Sequence, residues 1–258
     1  MAHVNHGRFM WHDLMSKDED ADLAFLKSLI GWTVAERDMG DMGNYAMLMA
    51  GETGVGGIID MSEVGAVTAH WVGYVVVSDI DLALATVAAE GGKVLSPAMP
   101  IPDVGRTAVA MDPSGAVFSL LEPATDASML PEGEWGPGRF CWWELITTDP
   151  AGAQAFYGKV LGWGCHEIDM GGRPYWLWTQ GEEAMNPGGL MQHPDGAAGR
   201  SHWLFYVLVD DVDASTAQVA GLGGQVLAEP MDVPGQGRMS VIATPSGAAM
   251  ALFKSAGN

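Results

Sequence analysis

Gly7-Arg8-Phe9, near the start of the chain, returns as Gly138-Arg139-Phe140. At the same offset Trp11 falls on Trp142, Leu14 on Leu145, Asp18 on Asp149, Phe25 on Phe156, and Gly31-Trp32 on Gly162-Trp163. The register then slips by one residue. Beyond the slip His70-Trp71 falls on His202-Trp203, Gly91-Gly92 on Gly223-Gly224, Gly105-Arg106 on Gly237-Arg238, and Pro113-Ser114-Gly115-Ala116 on Pro245-Ser246-Gly247-Ala248. Coincidence over aromatic residues and turn residues alike makes the chain two homologous halves. The repeat predicts domains at 7–123 and 138–255, joined by a linker at 124–137 that carries Pro131, Gly133, Gly136 and Pro137. Each half, at roughly 125 residues, is long enough to bury its own core.

Within each half the pattern runs strand, helix, several strands, and then repeats. Arg8 to Met15 is an apolar, Trp- and Phe-bearing strand, and Asp18 opens a helix whose Leu23, Phe25, Leu26, Leu29 and Ile30 recur at helical spacing until Gly31 stops it. Glycine-rich turns separate the short strands Tyr45 to Met49 and Val55 to Met61. Trp71 to Val77 is strongly β-forming, Asp79 caps a helix that ends at Gly91-Gly92, and Thr107 to Met111 and Ala116 to Glu122 supply strands around the Asp112-Pro113-Ser114-Gly115 turn. In the second half Pro150 follows the Asp149 cap, where a first helical residue is expected. The order is βαβββ, four times, in an α+β chain whose helices begin near Asp18, Asp79, Asp149 and Asp211.

Composition narrows the partners. The net charge of −20, from 32 acidic against 12 basic residues, repels phosphate backbones and anionic lipid, so neither nucleic acid nor a membrane is an expected partner. Much of the acid stands at helix starts, where it caps free N–H groups and complements the helix dipole. No apolar run approaches the roughly 20 residues of a membrane span, and Met1 to His6 has no apolar signal core, so a cytoplasmic location is the expectation. Cys141 and Cys165 lack metal-type spacing and are too few for a disulfide framework; packed thiols are expected.

Phe156-Tyr157-Gly158-Lys159-Val160-Leu161-Gly162-Trp163 resembles a helix-ending signature of the vicinal oxygen chelate superfamily, and Val209-Asp210-Asp211-Val212-Asp213 and Asp112-Pro113-Ser114-Gly115 resemble two others. That superfamily holds glyoxalase I, the extradiol dioxygenases, and the fosfomycin- and bleomycin-resistance proteins. Among tandem members the chain is similar to the glyoxalase-like antigens of mycobacteria, through Trp-x-(Asp/Glu)-Leu on the first strand of each half. The resemblance implies two cup-shaped mixed sheets, each made of two βαβββ units. In metal-using members it also implies three protein ligands that let a divalent ion hold adjacent substrate oxygens. Here the corresponding positions are Trp11, Val72 and Ser119 in one half and Trp142, Leu204 and Ala251 in the other, so the expectation is no metal and no other cofactor.

Strand alternation places Asp13 beside Trp11, Glu144 beside Trp142, His70 beside Val72 and His202 beside Leu204, with Tyr74 and Tyr206 two residues further on. Asp13, His70, Glu144 and His202 are therefore the candidate acid–base residues. Trp11, Tyr74, Arg106, Trp142, Tyr206 and Arg238 are the candidate ligand contacts, the two arginines as anion binders. Blander readings stand beside these: a histidine at a strand end satisfied by backbone, and an arginine anchored to carboxylates. His12 is out of phase with Trp11 and is expected under the helices, Trp32 and Trp163 are expected as core plugs, and Trp176 and Trp178 with Tyr175 as lining of the second cup. The expected partner is a small apolar or aromatic molecule, bound for sequestration, resistance or cofactor-free proton transfer. Two alternatives remain open: a metal-dependent lyase, isomerase or dioxygenase with shifted ligands such as His70, Asp13 and Asp60 or His202 and Glu144, and a non-catalytic interaction module. The oligomeric state is not legible.

Overall fold

The computed structural model describes residues 5–40, 43–65, 67–125, 136–170, 172, 174–181, 188–194 and 200–257. The first half contains β1 (Phe9–Ser16), α1 (Glu19–Ile30), β2 (Thr33–Asp38), β3 (Asn44–Ala50), β4 (Thr53–Asp60), β5 (His70–Val76), α2 (Ile80–Ala89), β6 (Lys93–Ile101), β7 (Gly105–Met111) and β8 (Val117–Pro123). The second contains β9 (Phe140–Thr147), α3 (Pro150–Leu161), β10 (Gly164–Asp169), β11 (Pro174–Thr179), β12 (Gly189–Gln192), β13 (His202–Leu208), α4 (Val212–Val219), β14 (Gln225–Val233), β15 (Gly237–Ala243) and β16 (Ala249–Ser255). This is βαβββ four times, in two eight-stranded sheets of order β2-β3-β4-β1-β5-β8-β7-β6 and β10-β11-β12-β9-β13-β16-β15-β14. Most of the expected linker, residues 126–135, lies outside the described residues.

All four helices start as the aspartates dictate. The Asp18, Asp79, Asp149 and Asp211 carboxylates accept from the backbone N–H groups of Ala21, Leu82, Gly152 and Ala214, which lack an intrahelical acceptor. Gly31 and Gly162 close α1 and α3 at φ 82° and 72°, a left-handed conformation that a side chain would strain.

Each sheet uses one half of the sequence, but the chain packs as two compact units that each draw on both halves. One unit comprises Met1–Trp11, Gly73–Leu130 and Trp143–Trp203; the other comprises His12–Val72, Pro131–Trp142 and Leu204–Asn258. Inside the first unit Phe9 lies parallel to Trp143 at 5.8 Å and close to Trp163 and Trp203. Trp163 there donates to the Gly7 carbonyl at 2.9 Å. Inside the second unit Phe140 stacks on His12 at 3.9 Å beside Trp32, Trp71 and Phe205, and Trp32 donates to the Gly138 carbonyl at 2.8 Å. The repeated Gly-Arg-Phe motif is thereby accounted for: each half lends its leading phenylalanine and glycine carbonyl to aromatic residues of the other half. His12, Trp32 and Trp163 are core residues, as the strand phase of His12 and the positions of the two tryptophans just past helix ends implied.

Each unit also buries one carboxylate between a helix and a turn. In the first, Trp203 donates to the Tyr157 hydroxyl, which donates to Asp112 on the Asp-Pro-Ser-Gly turn, both at 3.1 Å. Burial pushes the Asp112 carboxyl above the ordinary carboxylate range. In the second, Asp22 on α1 accepts from Ser16 and from the backbone and hydroxyl of Ser246. Leu26 takes the Tyr157 position there, and the buried Trp71 Nε1 has no hydrogen-bond partner among the described residues. Cys141 and Cys165 are unpaired thiols. Among the described residues no helix is long and apolar enough to cross a membrane.

Candidate functional site

The same three-strand construction occurs once in each unit. In the second unit Asp13 on β1 lies directly opposite Gly57 on β4, and Gly57 in turn faces Met47 on β3. Tyr45, two residues before Met47, shares its strand face and reaches diagonally across the glycine, so that its hydroxyl donates to Asp13 Oδ1. Only a glycine permits this: a Cβ on Gly57 would stand 1.9 Å from the Tyr45 oxygen. In the first unit Glu144 on β9 lies opposite Gly189 on β12, which faces Leu177 on β11. Tyr175, again two residues earlier, donates to Glu144 Oε1 at 2.8 Å, and a Cβ on Gly189 would stand 1.8 Å from its oxygen. Asp13 and Glu144 are only 4% and 6% exposed, so the phenol bond offsets part of the cost of removing each carboxylate from water. A carboxylate held by a phenol has further lone pairs with which to accept a hydrogen bond.

The two candidate histidines are held alike. His70 Nδ1 lies 2.8 Å from the Thr68 carbonyl, and His202 Nδ1 lies 3.0 Å from the Arg200 carbonyl. A carbonyl only accepts, so in the neutral ring Nδ1 carries the proton and Nε2 is the basic nitrogen. His70 belongs to the unit of Asp13 and Tyr45, and His202 to the unit of Glu144 and Tyr175. A phenol is bonded to each carboxylate, and a backbone carbonyl holds each imidazole. The half-buried His70 and the exposed His202 thus match the strand-end reading in their bonding.

The other predicted contacts fall differently. Trp11 and Trp142 are half-buried on β1 and β9. Tyr74 packs against Met10, Val76 and Leu121, and the buried Tyr206 directs its hydroxyl at Met239 Sδ, 3.8 Å away. Arg106 is taken by Asp81 at 2.7 Å and Glu122 at 3.1 Å, and Arg238 by Asp213 at 2.6 Å and Asp232 at 2.8 Å. Both arginines therefore anchor loops through carboxylates. The expectation that Trp176 and Trp178 line the second cup fails. Alternation along β11 turns them away from Tyr175: Trp178 is fully buried against Tyr157 and Trp163, and Trp176 donates to Glu167.

Sequence reasoning named Tyr175 only as cup lining, not as a partner of Glu144, and did not single out Tyr45, Gly57 or Gly189. A signal was present, since tyrosine stands in equivalent places on the third strand and glycine on the fourth strand of both halves.

The donor set does not fit a resident divalent ion of the superfamily type. The inherited ligand positions carry indole (Trp11, Trp142), hydrocarbon (Val72, Leu204, Ala251) and one hydroxyl (Ser119). Among the described residues no three His, Cys, Asp or Glu side chains converge as a metal site would require. Asp60 is bound to the backbone and hydroxyl of Ser62, which hold its carboxyl below the ordinary range. Zinc, nickel, iron and manganese are therefore expected in substoichiometric amounts after purification without chelator, and adding chelator is expected to leave the melting temperature unchanged. One retained equivalent whose removal lowers the melting temperature overturns this.

Comparison with known proteins agrees with the fold and the repeat. The description "Glyoxalase-like domain" matches residues 143–253. "Putative glyoxylase CFP32" of Mycobacterium tuberculosis is 34% identical over 251 residues, covering 95% of this chain and 94% of that protein. The anthracycline biosynthesis protein DnrV of Streptomyces peucetius is 28% identical over 267 residues, covering 98% and 95%. Among solved structures, the Mn(II)-bound glyoxalase from Novosphingobium aromaticivorans superposes with a TM-score of 0.63 at 17% identity, over 98% of this chain and 83% of that one, a likeness of fold alone. With a tandem βαβββ architecture and a full-length relative at this identity, the chain belongs to the glyoxalase-like proteins of the vicinal oxygen chelate superfamily.

Proposed function

We propose that the protein binds a small apolar or aromatic molecule bearing a hydroxyl or an acidic proton, in one or both halves, at the pairs Asp13–Tyr45 and Glu144–Tyr175. The observation that carries this is the duplicated construction: a buried carboxylate, a phenol on its oxygen, and a glycine kept bare so that the ring can lie across the strand. A carboxylate so oriented accepts a ligand's hydroxyl proton within hydrogen-bond reach, about 2.6–3.2 Å. The phenol holds its direction, and the outer nitrogens of His70 and His202 relay or store the proton. Trp11 and Trp142, each two residues before the carboxylate on its own strand, supply stacking surfaces in this reading. The result is sequestration, or proton transfer without a cofactor. The DnrV and DauV relatives, whose names place them in anthracycline biosynthesis, make hydroxylated polycyclic aromatics the first ligands to try.

Calorimetric titration with an anthracycline and simpler hydroxylated aromatics is the direct test. The double variant Asp13→Asn, Glu144→Gln is expected to bind roughly 10- to 100-fold more weakly, the equivalent of losing a charged hydrogen bond of about 1.5–3 kcal/mol. The double variant Trp11→Ala, Trp142→Ala is expected to lose affinity and ligand-induced Trp quenching together. Unchanged affinity in a folded carboxylate double variant sinks the proposal.

A further inference from the structure

The hairpin between β14 and β15 differs from its repeat counterpart in a way that Asp13, Glu144 and their tyrosines do not explain. In the first half Arg106 faces Glu122 across β7 and β8 and is paired with it, and Asp103 occupies the hairpin turn. In the second half the equivalent register sets Arg238 opposite Lys254, and Gly235 takes the place of Asp103. Glutamate to lysine adds two positive charge units and aspartate to glycine one, while Asp232 in place of Pro100 removes one. Gln225 for Lys93 and Glu229 for Pro97 offset the remaining gain, so what differs between the halves is the placement of charge rather than its sum: a lysine on β16 stands beside the turn where the first half has a glutamate on β8.

This hairpin borders a pocket of about 380 Å³ that is open to solvent and lined by Asp232, Val233, Pro234, Arg238, Lys254 and Ala256 among others, all within the second unit. That volume lies within the range of small-molecule sites, roughly 300–1,000 Å³. The two cations in its wall are not equivalent. Arg238 gives its Nε and one terminal nitrogen to Asp213 and the other to Asp232, so its charge is already matched. The Lys254 ammonium makes no hydrogen bond or ion pair with the described residues. An ammonium without an internal counter-ion, beside apolar wall from Val233, Pro234 and Ala256, suits an anionic head on a short apolar body.

We propose that this pocket binds small amphiphilic acids, with Lys254 contacting the carboxylate or phosphate head. The test uses octanoate and octyl phosphate as probes and octanol as the uncharged control, followed by calorimetry and by the amide resonances of Gly235 and Gly237. Saturable binding that moves those two amides is expected for at least one of the acids, with octanol at least tenfold weaker. Lys254→Glu, which recreates the Arg106–Glu122 pair of the first half and so keeps the hairpin folded, is expected to weaken binding at least tenfold, and Lys254→Met likewise. The Asp13→Asn, Glu144→Gln variant is expected to bind these probes normally, which separates this site from the one proposed above. Octanol binding as tightly as octanoate and octyl phosphate, shifts confined to other residues, or unaltered affinity in Lys254→Glu each overturn the assignment.

Discussion

Replacing Gly189 by alanine is expected to destabilise the protein by about 2–4 kcal/mol, through overpacking and a lost hydrogen bond to a buried charge. The new methyl carbon would stand 1.8 Å from the Tyr175 oxygen and 2.4 Å from the ring carbon bearing it, a clash that a rigid ring relieves only by swinging out of the sheet face. That movement strips Glu144 of its phenol partner, so ligand affinity is expected to fall with stability. Gly57→Ala is expected to do the same to Tyr45 and Asp13, whose spacing is almost identical. At this chain length the loss corresponds to a melting-temperature drop of roughly 5–15 °C. A double-mutant cycle identifies the cause. In a Tyr175→Ala background the Gly189→Ala substitution has nothing to displace, so its cost is expected to shrink to a few tenths of a kcal/mol. If Gly189→Ala costs as much without the tyrosine as with it, backbone preference rather than the ring explains the glycine.

Acidification is expected to weaken the fold through His12. Burial holds its imidazole down to about 3 from an ordinary 6.5, with the Val55 carbonyl at Nδ1 opposing the shift only in part. The folded-state value is depressed, so the unfolded chain takes up a proton below about 6.5 that the folded chain refuses until about pH 3. The stability present at neutral pH is therefore lost on going down through that window, by about 3 kcal/mol between pH 7 and pH 4. His12→Phe keeps an aromatic ring against Phe140 and removes the titrating group. The two denaturation-midpoint curves are expected to diverge below pH 6.5, with the variant falling less. Asp112, pushed up by burial, acts in the opposite sense and is common to both proteins, so it cancels in the comparison. Parallel curves from pH 7 to pH 4 would show that His12 is not protected from protonation in the folded state.

Much of the architecture was legible because it is encoded locally. An aspartate before each apolar helical run satisfies N–H groups that have no other acceptor, and so the four helix starts could be placed almost to the residue. Alternation correctly put His12 out of phase with Trp11 and into the core. The arginines were half legible: Arg106 and Arg238 stood out, but their partners Asp81 and Asp213 lie 25 residues earlier in the chain, in the first turns of α2 and α4, where nothing local marks them as partners.

By itself the sequence determined that the chain is a tandem repeat of βαβββ units, where its helices begin, and that the inherited metal positions carry indole, hydrocarbon and a hydroxyl. Those properties follow from periodicity, capping and residue identity, which act over a few residues at a time. The tertiary structure alone decided that Phe9 packs on Trp143 and Phe140 on His12, and that Tyr45 and Tyr175 cross bare glycines to reach Asp13 and Glu144. The physical reason is register. Which residues face each other across three strands depends on how separate segments align, and a slip of one residue would turn every one of these side chains to the opposite face.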